Sequence, residues 1–225
     1  MVGSSILLQV SAQGAGPLSY QWRLNRQALP GATNSTFELN DPRAREVAAL
    51  SPEGSLFAYA TSDETLELLD AASETKRLSI SGTTLWISRL AFSADARFLA
   101  GAGYNRVVVW RTSDGARLWE QDRSYLPESI AFSSDSQLVA QAADRGAIAL
   151  WRVADGTLVR TLTGVRANVT ALGFSPDKRF LTVSKAGSEV ECWRLADGIL
   201  LPLRDPTSPT DLRNVASLAF SPDNQ

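Results

Sequence analysis

The chain has 225 residues, and its 22 Lys and Arg against 24 Asp and Glu give a formal net charge of −2. This balance excludes a polybasic nucleic-acid binder and an acidic tail, and without a run of about 20 apolar residues we expect no membrane insertion. Histidine is absent and Cys192 is the only cysteine, which excludes internal disulfides, histidine-based catalysis and the usual metal ligand sets, so we expect no metal and no cofactor.

Residues 1–41 form a segment of their own. The opening MVGSSILLQV has no basic stretch and only a short apolar run, so it is not a signal peptide. An alternating strand follows, then a Gly-Pro turn, a strand SYQW that ends on Trp22, and the loop LPGATNST. These features resemble the front half of a bacterial immunoglobulin-like domain, with Val10 where disulfide-bearing members have their first cysteine. The alternative is a few adventitious strands.

Residues 42–225 contain an internal repeat. The segments VAALSPEG, RLAFSADA, SIAFSSDS, ALGFSPDK and SLAFSPDN place a serine at intervals of 42, 40, 42 and 46 residues, at Ser51, Ser93, Ser133, Ser175 and Ser221. About 18 residues after each of the first four serines stands a large apolar residue: Leu69, Trp110, Trp151 and Trp193. A turn pair follows, at Asp114-Gly115, Asp155-Gly156 and Asp197-Gly198, with Ser73-Glu74 as a degraded copy. A period of this length is typical of small stacked sheets.

Each repeat predicts four short strands and no helix, because apolar residues alternate or run continuously between turns. The first strand places a tiny residue between an apolar residue and the large residue before the serine: Ala49, Ala91, Ala131, Gly173 and Ala219. Since successive side chains of a strand point to opposite faces, one face is bulky and the other lets a neighbouring sheet approach closely.

The spacing, the FSPD-type turn and the Trp-ending third strand resemble the WD-repeat (WD40) β-propeller family over residues 44–225. The resemblance implies an all-β partial propeller of four four-stranded blades plus one strand, at about 44–81, 86–121, 127–163 and 168–204, with a fifth blade starting in 214–225. Without histidine, the His–Ser–Trp–Asp network of well-formed repeats cannot exist. After the Trp, the family's Asp is replaced by Arg111, Arg152 and Arg194, a change typical of bacterial members.

The family usually closes its ring with about six to eight blades, so the chain is interpreted as a fragment of a longer protein. An open arc would leave strand edges unpaired and apolar blade faces uncovered. We therefore expect the isolated chain to self-associate.

Two sets of residues could suggest catalysis, and we assign neither to it. Asp95, Asp135, Asp177 and Asp223 recur at one repeat position with Glu53, as expected of residues that each turn requires. Cys192 has no histidine to activate it and lies on an apolar strand, which predicts a packed core thiol.

The candidate binding residues lie in the connections from the fourth strand to the next first strand and from the second to the third. In the family these connections share one rim of the propeller. Aromatic and arginine side chains, which anchor protein interfaces, occur there at Trp86, Tyr104, Arg123, Tyr125, Arg145 and Arg166.

We expect a non-catalytic scaffold that binds a protein or peptide through this rim, within a larger bacterial multidomain protein. The alternative is part of a propeller enzyme or carbohydrate-binding protein whose active residues lie on missing blades. The immunoglobulin-like strands favour an extracytoplasmic or cell-surface location, although no signal peptide is encoded.

Overall fold

The computed structural model describes twelve stretches of the chain: 5–9, 23–24, 27–28, 36–40, 44–61, 64–81, 87–103, 106–122, 129–143, 147–165, 169–185 and 190–201. All regular structure within them is β-strand. The chain divides into two compact units, residues 1–85 and 86–225. None of the described elements is a helix that could cross a membrane.

The first unit contains two short ribbons and one larger sheet. Strand β1 (Ser5–Gln9) pairs antiparallel with β4 (Thr36–Asn40), and β2 (Arg23–Leu24) pairs with β3 (Gln27–Ala28). The immunoglobulin-like assignment of this region stays a prediction, and Val10 and Trp22 lie outside the described residues. Sheet 1 follows, with four antiparallel strands in chain order: β5 (Ala44–Leu50), β6 (Leu56–Thr61), β7 (Leu66–Asp70) and β8 (Thr75–Ile80).

The second unit contains three further sheets of the same kind. Sheet 2 consists of β9 (Ile87–Phe92), β10 (Phe98–Gly103), β11 (Arg106–Arg111) and β12 (Arg117–Asp122). Sheet 3 consists of β13 (Ile130–Phe132), β14 (Leu138–Ala143), β15 (Ala147–Arg152) and β16 (Leu158–Leu162). Sheet 4 consists of β17 (Val169–Phe174), β18 (Phe180–Lys185), β19 (Glu191–Arg194) and β20 (Ile199–Leu201).

The predicted all-β architecture with four four-stranded antiparallel sheets is confirmed. Each sheet pairs its strands in chain order, as short turns between antiparallel neighbours require. The predicted first strand of a fifth blade lies outside the described residues. The division of the chain at residues 41 and 42 stays a prediction.

The core of the second unit lies between neighbouring sheets. Sheet 2 contributes Ala100, Ala102, Val107 and Val109 to one apolar cluster, in which Ile130 and Phe132 of sheet 3 are partly buried. The opposite face of sheet 3 forms a second cluster with sheet 4, and there Leu172 and Phe174 take the corresponding places.

The tiny residues of the first strands lie on the face of each sheet against which the next sheet packs. Ala91 pairs directly with Ala100, and Ala131 pairs with Ala140, so each shares a face with a fully buried alanine. The face of one sheet that carries small side chains therefore packs against the face of the next sheet that carries large ones.

Candidate functional site

The six candidate binding residues all lie outside the described residues: Trp86, Tyr104, Arg123, Tyr125, Arg145 and Arg166. The strands that flank them are described. Tyr104 stands between β10 and β11, and Arg145 stands between β14 and β15. In a sheet paired in chain order, the second-to-third connection and the exit from the fourth strand lie at the same end. That the six side chains share one rim stays a prediction.

The opposite end of each sheet carries the recurring serine and aspartate. In sheet 2 the Ser93 hydroxyl donates to Asp95 Oδ1 at 2.6 Å and accepts from the Phe98 N–H at 2.9 Å. Sheets 3 and 4 repeat both bonds around Ser133 and Ser175. Sheet 1 keeps the bond from the Leu56 N–H to the Ser51 hydroxyl. The serine thus closes the turn between the first two strands in every sheet.

The aspartates of these turns are held in the charged form by local hydrogen bonds. Burial acts to raise the pKa of Asp95, but the bonds from the Ser93 hydroxyl and the Arg97 N–H outweigh it and lower the pKa. In Asp177 the Ser175 hydroxyl is the main cause of a lowered pKa. These carboxylates act as turn residues, because each accepts a hydrogen bond from a backbone N–H of its own turn.

Neighbouring turns in the second unit are also linked to one another. The Asp95 N–H donates to the Ser136 hydroxyl at 3.1 Å, which joins sheets 2 and 3. Lys178 Nζ lies 2.8 Å from Asp135 Oδ2, and the Ser134 hydroxyl donates to the Pro176 carbonyl at 2.7 Å, which join sheets 3 and 4. Ser136 and Lys178 both have a positive φ of 60°, so the same backbone conformation aims both side chains at the preceding turn.

The arginines that directly follow the recurring tryptophans have a structural role that the sequence did not predict. Each forms an ion pair with the aspartate three residues later in the turn from third to fourth strand: Arg111 with Asp114, Arg152 with Asp155 and Arg194 with Asp197. The Arg194 pair lowers the pKa of Asp197 and raises that of Arg194. The threefold recurrence of Arg-x-x-Asp-Gly was the signal available in the sequence.

A polar network without histidine is present in sheet 4. The Trp193 indole N–H donates to Glu191 Oε2 at 3.3 Å, and Glu191 also pairs with Lys185. Both members of this ion pair are largely buried, with 12% and 14% of their side chains exposed. A carboxylate two residues earlier on the same strand therefore accepts the tryptophan's hydrogen bond.

The buried Glu67 of sheet 1 stands at the repeat position of Glu191. It accepts hydrogen bonds from Lys76 Nζ at 2.9 Å and from the Ser79 hydroxyl at 2.7 Å. Cys192, the neighbour of Glu191, is buried as expected of a core thiol, and burial raises the pKa of that thiol. Among the residues described here, no three His, Cys, Asp or Glu side chains form a group that could hold a metal ion.

Comparison with known proteins identifies a family that resembles one unit of the repeat. Residues 156–194 match the family model described as WD domain, G-beta repeat, and these residues run from the turn before β16 to the end of β19. Residues 156–194 are therefore similar to one WD40 repeat. The matched segment starts on β16, the outer strand of sheet 3, and continues into sheet 4.

Two similar proteins align with part of this chain, and the alignment covers only part of each of them. An uncharacterized WD repeat-containing protein of Synechocystis sp. is 32% identical over 130 residues, which is 56% of this chain and 37% of the relative. The apoptotic protease-activating factor 1 of Danio rerio is 30% identical over 98 residues, which is 44% of this chain and 7% of the relative. The chain thus spans less than half the length of both relatives.

Proposed function

We propose that this WD40-type domain binds a protein or peptide partner through the rim at which its second-to-third and fourth-to-first connections lie. WD repeats generally mediate protein–protein interaction, and their family members are generally non-catalytic scaffolds. The observation that carries the proposal is the contrast between the two ends of the sheets. One end carries the first-to-second and third-to-fourth turns, and there the recurring Ser, Asp and Arg side chains form hydrogen bonds and ion pairs within the chain. The non-recurring aromatic and arginine residues stand in the connections of the other end.

The proposal extends to the protein around this chain. We place the domain in a larger bacterial multidomain protein, in which residues 1–41 belong to an immunoglobulin-like module. That module supports an extracytoplasmic or cell-surface location. The isolated chain self-associates in this proposal, since strand edges and apolar faces that lack a cover promote association.

A quantitative pull-down tests the rim. The chain, extended by its neighbouring sequence, is immobilised beside a Trp86→Ala, Tyr125→Ala double variant, and the partner recovered from the source organism is identified and quantified. Loss of most of the recovery in the double variant supports the rim. A Trp86→Phe, Tyr125→Phe variant serves as the matched control, because it keeps the aromatic surface. Equal recovery by all three proteins would remove these residues from the site.

A further inference from the structure

Gln141 is a polar residue inside the apolar core of the second unit. It belongs to β14, and it is only 1% exposed. Strand pairing places Gln141 between Ile130 of β13 and Ala149 of β15, which both belong to the apolar cluster between sheets 2 and 3. Since residues that pair directly across a sheet share a face, Gln141 lies on the face of sheet 3 that packs against sheet 2.

The buried amide of Gln141 lacks hydrogen-bond partners among the described residues, and this holds for both its Oε1 and its Nε2. A glutamine amide can donate two hydrogen bonds and accept two, and water supplies them when the side chain is exposed. The closure of sheets 2 and 3 around this amide therefore costs free energy. That free energy is regained whenever the two sheets separate far enough to admit water.

The interface between sheets 3 and 4 has an apolar residue at the same repeat position. Val183 of β18 corresponds to Gln141, is fully buried and belongs to the apolar cluster between sheets 3 and 4. The polar Glu191, which pairs with Val183 across the sheet, forms its ion pair with Lys185. The free-energy cost of the Gln141 amide therefore has no counterpart at this position of the interface between sheets 3 and 4.

Two further features weaken the interface between sheets 2 and 3 near its first strands. The first strand of sheet 3, β13, has three residues, whereas β9 and β17 have six each. At the turns, Lys178 of sheet 4 forms an ion pair with Asp135, but its counterpart Ser136 of sheet 3 accepts a hydrogen bond from the Asp95 N–H at 3.1 Å. Charge-assisted hydrogen bonds are stronger than neutral ones. These turns therefore hold sheet 3 less firmly to sheet 2 than to sheet 4.

The outer edge of the interface between sheets 2 and 3 is firmly tied. The Trp119 indole N–H donates to the Val153 carbonyl at 2.7 Å, and Gln121 Nε2 donates to the Gly156 carbonyl at 3.2 Å. Both donors lie on β12, and both acceptors lie in the turn between β15 and β16. An interface that is tied at its fourth strands and weaker near its first strands can open like a hinge about the tied edge.

We propose that the interface between sheets 2 and 3 is a conformational seam, which opens around Gln141 while the edge at Trp119 stays closed. Opening hydrates the Gln141 amide and exposes the apolar cluster beside it. Strand β14 ends at Ala143, where the second-to-third connection starts, so an open seam separates the rim of sheet 3 from the rim of sheet 2. The interface between sheets 3 and 4, with Val183 at the same position, stays closed under the same conditions. This device goes beyond the proposed function.

Thiol labelling of the whole chain under native conditions tests the proposal. Cys192, the only cysteine, is first replaced by alanine. A single cysteine is then introduced on one face of sheet 3 or the other, by Ala149→Cys in the seam or by Ala142→Cys in the interface with sheet 4. These two alanines are 3% and 4% exposed, so the two probes are matched. The thiol of the Ala149→Cys variant should react about fivefold faster or more, because its interface opens without unfolding of the chain.

Two substitutions identify the role of the glutamine. Gln141→Met keeps the size of the side chain without its amide and should slow the labelling of the Ala149→Cys variant by about fivefold or more. Gln141→Val introduces the residue of sheet 4 and should act in the same direction. Val183→Gln buries an amide in the interface with sheet 4, so it should accelerate the labelling of the Ala142→Cys variant and leave that of the Ala149→Cys variant unchanged.

Two results would overturn the proposal. Equal labelling of the two probes would show that both thiols react only when the whole chain unfolds. Unchanged or faster labelling of the Ala149→Cys variant after both Gln141→Met and Gln141→Val would show that the amide does not weaken the interface, as when a bound water molecule pairs with it.

Discussion

The indole of Trp119 in sheet 2 lies directly over Gly156 in the turn of sheet 3. Its N–H donates to the Val153 carbonyl at 2.7 Å, and a Cβ on Gly156 would lie 2.7 Å from the ring. The backbone of Gly156 also has a positive φ of 69°, which side-chain-bearing residues rarely adopt. One glycine therefore closes a tight turn and receives the aromatic ring of the neighbouring sheet.

We expect a Gly156→Ala variant to lose about 2–4 kcal/mol of unfolding free energy, because backbone strain and a steric clash add. Urea denaturation measures the loss. Gly164→Ala is the matched control, since Gly164 also has a positive φ but has no atom within 4 Å of the added carbon. Equal losses in the two variants would show that the Trp119 contact contributes nothing.

An Ala131→Leu variant should be destabilised by about 1–3 kcal/mol, because the inner strand of sheet 3 leaves little room on the face that Ala131 shares with the buried Ala140. The midpoint and slope of a denaturant titration report the change. An Ala154→Leu variant adds the same side chain at an exposed turn position and should change stability by less than about 0.5 kcal/mol. An unchanged midpoint for Ala131→Leu would contradict the face assignment.

Stability should depend on the protonation of Asp135. Burial acts to raise the pKa of this carboxyl, but the bonds from Lys178, Ser133 and the Gln137 N–H outweigh it and lower the pKa below its ordinary value of 3.8. A lowered pKa means that the carboxylate stabilises the folded state above pH 3.8 and that this stabilisation is lost as the pH falls through the folded-state value.

An Asp135→Asn variant should accordingly be less stable than the parent chain at pH 7, by roughly 0.5–1 kcal/mol after solvent screening of a partly exposed ion pair. The difference should shrink towards pH 2.5, as measured by denaturation at several pH values. Lys178→Met is the companion variant, because it removes only the ion pair. A difference between parent and Asp135→Asn that stays constant with pH would refute the assignment.

The Lys185–Glu191 pair in sheet 4 should show strong energetic coupling. Removal of one charge leaves the other in a largely buried site, so Lys185→Met and Glu191→Gln should each cost about 1–3 kcal/mol. The Lys185→Met, Glu191→Gln double variant should recover much of that loss, because it leaves no unpaired charge and keeps an acceptor for the Trp193 N–H. Denaturation of the single and double variants gives the coupling free energy, and simple additivity would contradict it.

The repeating part of the fold follows from local signals in the sequence. Strand and turn signals are local: an apolar run before Ser93, an Asp two residues later and an Asp-Gly pair after Trp110 each act within a few residues. Their recurrence was enough to predict four antiparallel sheets and the turn role of Asp95. Residues 1–41 have no such recurrence, and their immunoglobulin-like assignment stays a prediction.

The contacts that distinguish one repeat from another depend on how the sheets pack in three dimensions. Three contacts depend on distances that the repeat pattern does not encode. They are the Arg111–Asp114 ion pair, the hydrogen bond from Trp193 to Glu191 and the packing of Trp119 on Gly156. A repeat pattern records which positions are alike, whereas these contacts arise where positions differ or where two sheets meet. The exposure of Leu158 and Ile199 is likewise a property of the packed sheets, because burial depends on which neighbours cover a strand in three dimensions.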